Sequence, residues 1–437
     1  MGLFTSKGRN HIQGYKELTK DLPVERLVDA ENDKYYYPTM APNRSPITYI
    51  PKVGDRVLRG EKIGLRTDFN VPIYSSVSGV VVANEKVFSA QLGIPVNHFV
   101  IESDGKGEET KTLNNRVSLE SSKEEIFVAL KESGIVGMGG AGFPTYVKYQ
   151  SKTPIDTLIV NAVECEPFLT TDYRASIEEA SWLIKGIKLL MKCSGASKCI
   201  VAIKEHKDEA RDAIIKEIDN PEEISVVEVK DVYPMGWEKV LIKELLNKTY
   251  NALPSEVGCI VNNVQTVISV AKVLTTGRYV TERVVTVSGD GVEKVKNVLV
   301  PIGIPASRLV EFCGGYKDAE IALIPGGPMC SKSVNNDSFP ILLQMGALTV
   351  LKYVKVPSQT CLRCGECTMN CPSGLQPVEI QIAVKKGDVE RMLALNAKSC
   401  VECGMCSYVC PSHIEVTENI RKAKIQIRVH EMKNAKK

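Results

Sequence analysis

Eight cysteines near the C-terminus constrain this chain more than any other feature of its sequence. They form two copies of the pattern C-x2-C-x2-C-x3-C-P, CLRCGECTMNCP followed by CVECGMCSYVCP. This spacing is typical of [4Fe–4S] clusters, in which the last cysteine of each run usually binds the cluster of the other run. Zinc also binds C-x2-C pairs, but its four-ligand sites do not explain a double run of eight cysteines. The sequence therefore predicts two clusters, the first bound by Cys361, Cys364, Cys367 and Cys410 and the second by Cys400, Cys403, Cys406 and Cys371.

The rest of the composition is that of an ordinary globular protein in a reducing compartment. The N-terminus has no signal peptide, and no apolar run is long enough for a transmembrane helix. We therefore expect a cytoplasmic protein without a transmembrane segment of its own, which could reach the inner face of the cell membrane only through partners. The net charge of +3 gives no reason to expect a nucleic acid partner.

Six further cysteines have no place in the cluster motifs. A reducing compartment predicts that they are free thiols, and their commonest use is as small buried hydrophobes. Cys330 differs because it follows a glycine turn in PGGPMCSKSV, so it is either a redox-active thiol or a packed or merely exposed one. The other five are Cys165, Cys193, Cys199, Cys259 and Cys313.

The first 102 residues divide into a polar arm and a β-rich unit. Residues 1–44 show little hydrophobic periodicity and are predicted to be an arm without chemistry. Residues 45–102 contain short Val/Ile runs separated by Gly, Pro, Asp and Asn, the pattern of strands and turns. This unit resembles the barrel-sandwich fold of biotinyl and lipoyl carrier domains, but it lacks their Met-Lys-Met hairpin tip. We therefore expect a structural role for it.

Residues 123–275 follow a polar linker over 103–123 and alternate between helical and strand patterns, as in a layered α/β domain. A glycine-rich loop follows the first helix, and its backbone N–H groups could bind a phosphate with Lys148 as counter-charge. The helix–loop order differs from the strand–loop–helix of a dinucleotide turn, and the loop lacks the P-loop motif. Its glycines are Gly137, Gly139, Gly140 and Gly142.

Polar residues also stand at the ends of two predicted strands of this domain. Ligands of open α/β sheets bind beyond the carboxyl ends of the strands, and side-chain amides suit a polar ligand such as a ribityl chain. The alternative for each residue is a role in helix capping or in a turn. The residues are Asn161, Glu164 and Glu166 after DTLIVN, and Asn262, Asn263 and Thr266 in VGCIVNNVQTV, which is predicted to be one strand.

Two smaller units complete the predicted organisation. Residues 280–345 show a strand–hairpin–strand–helix–strand pattern that suggests a β-grasp unit. Residues 355–437 carry the cysteine motifs with two short helices between them. The basic tail that follows is expected to be a solvated helix face, with docking to an acidic partner as the alternative.

Within the α/β domain, one continuous helix is predicted from Ala175 to Lys192.

Five segments occur in an order that resembles a known family. GMGGAGFPTYVKY, NAVECEPFLTTD, YPMGWEK, NNVQT and the double cysteine run together resemble the RnfC protein of the Rnf electron-transport complex, from about residue 45 to about 422. They resemble more distantly the NADH-oxidising flavoprotein of respiratory complex I. The resemblance implies a multidomain α/β fold: an N-terminal β barrel-sandwich domain, an α/β FMN/NADH-binding domain, a β-grasp domain of the SLBB type and a C-terminal helical two-cluster ferredoxin domain.

The resemblance also implies roles for individual residues. The glycine-rich loop and Lys148 would hold the phosphate side of FMN and the adjacent nucleotide, and the polar residues after DTLIVN would line the flavin. Tyr233, Gly236 and Glu238 match the family's Y-x-x-G-x-E segment near flavin and NADH. The polar residues of NNVQT match its NNVET-like strand.

Some positions depart from the family pattern. Met138 stands where the complex I flavoprotein has an arginine, and Trp237 replaces a small or acidic residue beside the expected nicotinamide. The GG-x-HPP segment and the Ala/Lys-rich C-terminal extension of RnfC are absent. These differences favour a soluble relative, such as the corrinoid reductase of diol-metabolising compartments or the electron-transfer protein linked to clostridial proline reductase.

The predicted activity is that of an NADH-dependent oxidoreductase. Electrons from NADH would pass through FMN to the two clusters and on to a protein partner, such as proline reductase or a membrane complex. A flavin is needed because it converts a two-electron donor into one-electron steps. Three alternatives remain: a non-catalytic electron adaptor, a cluster-stabilised scaffold, or a genuine RnfC protein that couples ferredoxin and NAD at the membrane.

Overall fold

The computed structural model of this protein describes residues 10–110 and 116–434. Residues 1–9 of the predicted arm, 111–115 of the predicted linker and 435–437 of the predicted cluster domain lie outside the described part. The described residues form a barrel-sandwich, an α/β, a β-grasp and a helical unit, which confirms the predicted multidomain α/β fold class. Over these two ranges, no helix is both long enough and apolar enough to cross a membrane.

The N-terminal unit consists of two small antiparallel sheets. The strands of the first 110 residues are β1 (Val24–Arg26), β2 (Lys34–Pro38), β3 (Ile47–Tyr49), β4 (Arg56–Val57), β5 (Lys62–Arg66), β6 (Val71–Tyr74), β7 (Gly79–Ser89) and β8 (Ile94–Ser103). One sheet has the order β2-β8-β7-β4 and the other β3-β5-β6. Their inner faces bury Tyr35, Ile63 and Ile101 in a core that continues into the β-grasp unit. The predicted arm therefore contributes β2 to this unit and β1 to the sheet of the β-grasp unit.

The central unit is a parallel four-stranded sheet covered by helices. Its elements are α1 (Lys123–Glu132), α2 (Thr145–Lys148), β9 (Thr157–Ala162), α3 (Thr171–Glu178), α4 (Ala180–Ser194), β10 (Lys198–Lys204), α5 (Asp208–Lys216), β11 (Ile224–Val229), α6 (Glu238–Leu246), β12 (Cys259–Asn263) and α7 (Val264–Thr276). The strand order is β11-β10-β9-β12. Leu158 and Val160 of β9 pack against the side of α4 and α7, and Ile159 packs against the side of α6. Burial on both faces explains the continuous apolar run of this strand.

Two predicted elements of this unit have different boundaries in the structure. The predicted strand VGCIVNNVQTV ends at Asn263, because the side chain of Asn263 accepts a hydrogen bond from Gln265 N and caps α7. The predicted helix from Ala175 to Lys192 is wrong, since Glu179 leaves helical geometry and separates α3 from α4. Hydrophobic periodicity reports neither a cap nor a single non-helical residue.

The β-grasp unit shares its sheet with the N-terminal segment. Its elements are β13 (Glu282–Ser288), β14 (Lys296–Pro301), α8 (Ala306–Phe312), β15 (Ile321–Pro325) and β16 (Ala347–Lys352). The sheet order is β1-β14-β13-β16-β15, with β1 parallel to β14. The sheet therefore extends past the predicted limit of residue 345 to include β16.

The C-terminal unit is helical. Its helices are α9 (Glu366–Met369), α10 (Pro377–Lys386), α11 (Val389–Ala394), α12 (Met405–Tyr408) and α13 (Val416–Asn434). The short helices α9 and α12 lie inside the two cysteine runs. Ile380, Met392 and Ile420 from the longer helices form a small core against which several of the cluster cysteines pack. The basic tail is thus part of α13, a helix with one buried face.

Candidate functional site

A cavity of about 2320 Å³ lies beyond the carboxyl ends of β9 and β12, where the α/β, β-grasp and helical units meet. Pockets for single drug-sized ligands measure roughly 300–1,000 Å³, so this cavity has room for two nucleotides. Most of the residues predicted to bind the flavin line it. These are Gly137, Gly139, Gly140, Gly142, Lys148, Asn161, Glu164, Glu166, Gly236, Glu238 and Asn263.

The glycine-rich loop forms one wall of the cavity and packs on the beginning of α7. Gly137 N donates to the carbonyl of Phe143, which closes the loop. A Cβ atom on Gly139 would lie 2.9 Å from Nδ2 of Asn263, whereas one on Gly140 would meet nothing within 4 Å. The loop is therefore anchored at Gly139 and open to the cavity at Gly140, as a surface that a ligand approaches must be.

Three of the predicted ligand residues support the cavity without lining it. Thr266 is buried and accepts a hydrogen bond of 3.0 Å from the backbone N–H of Met138, which fixes the glycine-rich loop. Asn262 is buried and donates to the hydroxyl of Tyr149 at 2.6 Å. Tyr233 is 1% exposed and does not line the cavity, and its hydroxyl donates to the carbonyl of Cys403 in the second cysteine run while lying near the lining residues Glu166 and Cys330. Their predicted contacts with a ligand are therefore not seen in this arrangement.

Lys148 and Asn161 are held in place by backbone carbonyls. Lys148 Nζ donates to the carbonyl of Val261 at 2.7 Å, and burial lowers its pKa. Asn161 Nδ2 donates to the carbonyl of Gly236 at 2.7 Å. This contact joins the end of β9 to the segment before α6, so two predicted ligand segments border one cavity.

A chain of carboxylates lines the floor of the cavity. Glu164 accepts hydrogen bonds from the backbone N–H of Asp172 at 2.7 Å and from Lys16 at 3.4 Å. Asp172 accepts from Asn263 at 2.6 Å and from Gln265 at 2.7 Å. Burial, followed by the nearby charge of Glu164, raises the pKa of Asp172 to about 6.

Arg283, which belongs to β13 of the β-grasp unit, places a cation in the lining of the cavity. It is 2% exposed and donates to the carbonyls of Val284 and Leu343, but its buried Nη2 has no hydrogen-bond partner. Burial lowers its pKa to about 9, and Asp172 opposes that shift. A buried cation with an unused donor suits an anionic ligand group such as a phosphate.

Sequence reasoning did not single out several residues of this site. Arg283 could have been found as a charged residue inside an apolar strand pattern, which is unusual unless the charge is paired. Cys165, which lines the cavity, lies inside the NAVECEP segment. Nothing in the sequence around Lys16 signals its contact with Glu164, because the two residues are 148 positions apart.

Cys330 also lines the cavity and lies beside the second cysteine run. Its Sγ is 3.2 Å from the hydroxyl of Tyr233, and its carbonyl accepts a hydrogen bond of 2.8 Å from Arg421. Burial, with the charge of Glu166, raises the pKa of the Cys330 thiol well above its usual range. A neutral thiol is a poor nucleophile, so this environment favours a packed thiol over the redox-active alternative.

The eight cluster cysteines fall into the two predicted groups. Cys361, Cys364, Cys367 and Cys410 line one small cavity between α9 and the start of α13. In the other group, burial raises the pKa of Cys400 to about 11 and that of Cys406 to about 12, and neighbouring Cys371 adds to both shifts. The fourth cysteine of each run thus lies beside the other run. Four thiols around a small cavity fit a [4Fe–4S] cluster.

Four family models match the chain in the order of its structural units. They are described as an RnfC barrel sandwich hybrid domain at residues 4–106, a Nuo51 FMN-binding domain at 130–272, an SLBB domain at 284–332 and a 4Fe-4S dicluster domain at 352–414. These matches confirm FMN and two [4Fe–4S] clusters as the cofactors and the SLBB type of the β-grasp unit. The FMN-binding match spans the glycine-rich loop and the ends of β9 and β12, so we call the large cavity the candidate flavin cavity, and the dicluster match spans both cysteine runs.

Three curated relatives, each the RnfC-type component of its complex, match most of the chain. The component from the proton-translocating ferredoxin:NAD(+) oxidoreductase complex of Clostridium ljungdahlii is 33% identical, over 87% of this chain and 84% of the relative. The one from the Na(+)-translocating ferredoxin:NAD(+) oxidoreductase complex of Acetobacterium woodii is 32% identical, with 86% of each chain covered. The one from the ion-translocating oxidoreductase complex of Rhodobacter capsulatus is 32% identical, over 89% of this chain and 76% of the relative.

Proposed function

This chain belongs to the RnfC family, and the three relatives above are components of ion-translocating oxidoreductase complexes, two of them named as ferredoxin:NAD(+) oxidoreductases. From that premise we propose that the chain transfers electrons between NADH and a protein partner. The glycine-rich loop and the polar residues of the large cavity would hold FMN, which would supply the conversion of a two-electron hydride donor into one-electron transfers, and the two cysteine groups would hold the clusters that carry single electrons. The chain itself supplies the binding surfaces, the exclusion of water and the spacing of the cofactors.

One observation carries this proposal. The cavity that holds the predicted flavin residues is also lined by Glu402, Arg421 and Lys424, which surround the second cysteine run. A flavin in this cavity would therefore lie close to the second cysteine run. A scaffold or an adaptor without flavin would have no use for such a junction.

The residues of the cavity have distinct tasks in this proposal. The glycine-rich loop lets the ligand approach the backbone, and Lys148 and Arg283 supply positive charge for its phosphate. Asn161 and the carboxylates Glu164 and Glu166 would orient the flavin ring through hydrogen bonds. None of these side chains needs to exchange a proton with substrate, because the reaction moves a hydride and electrons.

The volume left beside a bound flavin would accept the nicotinamide dinucleotide. Trp237 lines the cavity next to Gly236 and Glu238 and offers an aromatic face there. The turn between β7 and β8 also lines the cavity. We propose NADH as the electron donor, in keeping with the NAD(+) that the names of the Clostridium and Acetobacterium relatives contain.

The acceptor is proposed to be a redox protein. The relatives are components of ion-translocating complexes, which supports a partner in a membrane complex and a place at the inner face of the membrane. Supply of electrons to a soluble reductase, such as proline reductase, is a narrower prediction from the sequence. Purification of the chain from its native cell with bound partners distinguishes the two acceptors.

An anaerobic titration tests the core of the proposal. The purified protein should contain FMN and about eight iron atoms per chain, the content of two [4Fe–4S] clusters. NADH should bleach the flavin and then the clusters, and parallel titration with NADPH measures the nucleotide preference. Protein that retains its clusters but binds no flavin and is inert to NADH would contradict the proposal.

A further inference from the structure

The loop of the second cysteine run contacts the rest of the protein through its backbone. A Cβ atom on Gly404 would lie 2.1 Å from the carbonyl oxygen of Met329, so no side chain fits between these two segments. The backbone N–H of Met329 in turn donates to the carboxylate of Glu166 at 3.1 Å. One short segment of the β-grasp unit thus separates the cavity carboxylate Glu166 from the cysteine loop.

Tyr233 makes a second connection across the same boundary. Its hydroxyl donates to the carbonyl of Cys403 at 2.6 Å and lies 3.2 Å from the thiol of the cavity residue Cys330. Tyr233, Cys403 and Met405 share one apolar cluster with Ile12 from the N-terminal segment. The contact is therefore buried and packed, so its geometry is fixed.

The other group of cluster cysteines has a different environment. Its small cavity has no lining residue in common with the large cavity. Cys364 is exposed, and the neighbouring Leu362 is 70% exposed. In the matching position of the first run, a Cβ atom on Gly365 would meet nothing within 4 Å. The two runs have the same motif, but the second is pressed against Met329 at Gly404, whereas the matching Gly365 of the first run is open and the first run meets the N-terminal segment through Asn370, which accepts a hydrogen bond from Asn10.

We infer that the cluster bound by Cys371, Cys400, Cys403 and Cys406 is the proximal cluster, which exchanges electrons with the flavin, and that the other is the distal cluster, which faces the protein partner. Tyr233 is the positioning residue of the proximal junction, because its hydroxyl fixes the peptide of the ligand Cys403. This inference rests on the proposed function and adds the order of the cofactors to it.

The electrons balance along this order. Each NADH that becomes NAD(+) gives up two electrons and one proton, and the proton goes to solvent. The two electrons cross the proximal junction one at a time, and each lowers the charge of a cluster by one unit. The partner, a redox protein, receives both electrons through the distal cluster, so neither cluster stays reduced after turnover.

Gly404→Ala and Gly365→Ala form a matched pair that tests the order. Both glycines have positive φ, 79° and 84°, so an alanine is strained to a similar extent at each, and all eight cysteines stay in place. Only Gly404→Ala must also move the cysteine loop away from Met329. After rapid anaerobic mixing with NADH, flavin reduction should be equal in both, while transfer from flavin to the clusters should slow about tenfold or more in Gly404→Ala alone.

Tyr233→Phe provides a second test that keeps the aromatic ring. Loss of the hydroxyl removes a hydrogen-bond donor near a cluster, and such donors stabilise the reduced, more negative form. The midpoint potential of the cluster whose EPR signal Gly404→Ala perturbs should therefore fall, and that of the other should not change. Redox titration with dithionite and mediators makes this measurement without NADH.

The outcomes separate this inference from the proposed function. The order would be overturned if both glycine variants slowed transfer from flavin to the clusters equally, or if Gly365→Ala slowed it more. It would also be overturned if Tyr233→Phe shifted only the midpoint potential of the other cluster, or neither potential. If one glycine variant fails to assemble its clusters, the potentials of Tyr233→Phe decide, with the signals assigned by the glycine variant that assembles. Wild-type flavin that NADH does not reduce would contradict the proposed function and leave the potential measurements intact as a test of the order.

Discussion

Two neighbouring glycines of the candidate flavin cavity have different surroundings: one packs against protein atoms and the other faces open space. Gly139 touches Asn263, whereas Gly140 faces the cavity, and both lie in one loop. A methyl group at Gly140 should leave the fold of the flavin-free protein unchanged and obstruct a ligand that approaches the loop. We expect Gly140→Ala to weaken FMN binding about tenfold, equal to about 1.4 kcal/mol, as measured by fluorescence titration of the flavin-free protein.

Gly139→Ala is the control for this prediction. Its methyl group would collide with Asn263, the residue that caps α7, so it should lower the thermal unfolding midpoint of the flavin-free protein as well as FMN affinity. The interpretation of the loop as a flavin cradle would be wrong if Gly140→Ala bound FMN as tightly as the wild type. It would also be wrong if, in both variants, the loss of FMN affinity followed the drop in the thermal unfolding midpoint of the flavin-free protein.

Asp172 should give the α/β domain a distinctive pH dependence. Its pKa is raised from 3.8 to about 6 by burial, so the folded state binds its proton more tightly than the unfolded state. The stabilisation from the protonated form is therefore complete below about pH 4 and is lost as pH rises through about 6. This difference between the pKa of Asp172 in the folded state and its ordinary value sets an upper limit of about 3 kcal/mol on the loss of stability.

The comparison of wild type with Asp172→Asn measures this effect, since asparagine does not titrate. The free energy of unfolding of the variant should rise relative to the wild type as pH increases from 4 to 7. Urea unfolding can be followed by the fluorescence of Trp182 and Trp237, the two tryptophans of the chain, which both lie in the α/β domain. A difference that stays constant across this range would contradict the raised pKa.

At this scale, motif residues could be predicted from the sequence and supporting residues could not. The carboxylates after β9 line the cavity because they follow the end of a strand, and the glycines and Lys148 line it from the loop after α1 and from α2. Lys16 and Arg283 reach the same site from distant segments, so no local pattern reports them. Tyr233 lies in the right segment, but only the packing of the cysteine loop decides which way its hydroxyl points.

Among the elements, the N-terminal segment has a larger role than its polar sequence predicts. Asn10 pairs with Tyr233 through two backbone hydrogen bonds, and Tyr15 stacks on Phe168 with 4.5 Å between ring centroids. Lys16 donates to the carbonyls of Glu164 and Leu169. The segment thus connects Glu164, a carboxylate of the candidate flavin cavity, to the boundary with the cluster domain.

Lys16→Met tests the role of this segment in the flavin site. The side chains of Lys16 and Glu164 are 12% and 7% exposed, and removal of one partner leaves a buried charge without compensation. We expect a loss of about 3 kcal/mol in the free energy of unfolding of the α/β domain and a lower FMN content. Glu17→Gln, an exposed neighbour in the same turn, should change neither quantity, and equal values for the two variants would refute the prediction.

The type and order of most elements could be predicted from their patterns, but their limits could not. The helix α1 begins where its Ser122 capping box predicts, and β9 is the buried strand that its apolar run indicates. The end of β12 depends instead on the capping contact of Asn263, and the membership of β16 depends on pairing with β13 across the sheet. Contacts between residues far apart in sequence leave no local signal.

For the whole molecule, the sequence predicts the four domains and their cofactors but not how they assemble. The second cysteine loop packs against a β-grasp segment at Met329 and against Tyr233, which pairs with the N-terminal segment at Asn10, and these contacts hold it beside the candidate flavin cavity. Arg421 and Lys332 extend this contact, since Arg421 donates to Cys330 O and Lys332 pairs with Glu418 of α13. The proposed electron path is therefore a property of the assembled chain and of no single motif.

Removal of the clusters should separate the molecule into a folded and an unfolded part. The core of the helical domain is small, and Cys367, Cys371, Cys400 and Cys406 pack directly against it. Cluster binding should therefore supply much of its folding free energy, as it does in other small metal-binding domains. The α/β domain has its own core over β9, α4 and α7 and should stay folded without iron.

Oxidative chelation of iron, followed by circular dichroism and tryptophan fluorescence, checks this expectation. The helical signal of α10, α11 and α13 should fall, while Trp182 and Trp237 should still report a cooperative transition of the α/β domain. The junction should open at the same time, because Gly404 and Arg421 both belong to the part that unfolds, so trypsin should then cleave α13 at its basic residues. Iron-free protein with undiminished helicity and protected α13 would mean that the helical core folds without its clusters and that the junction does not depend on them.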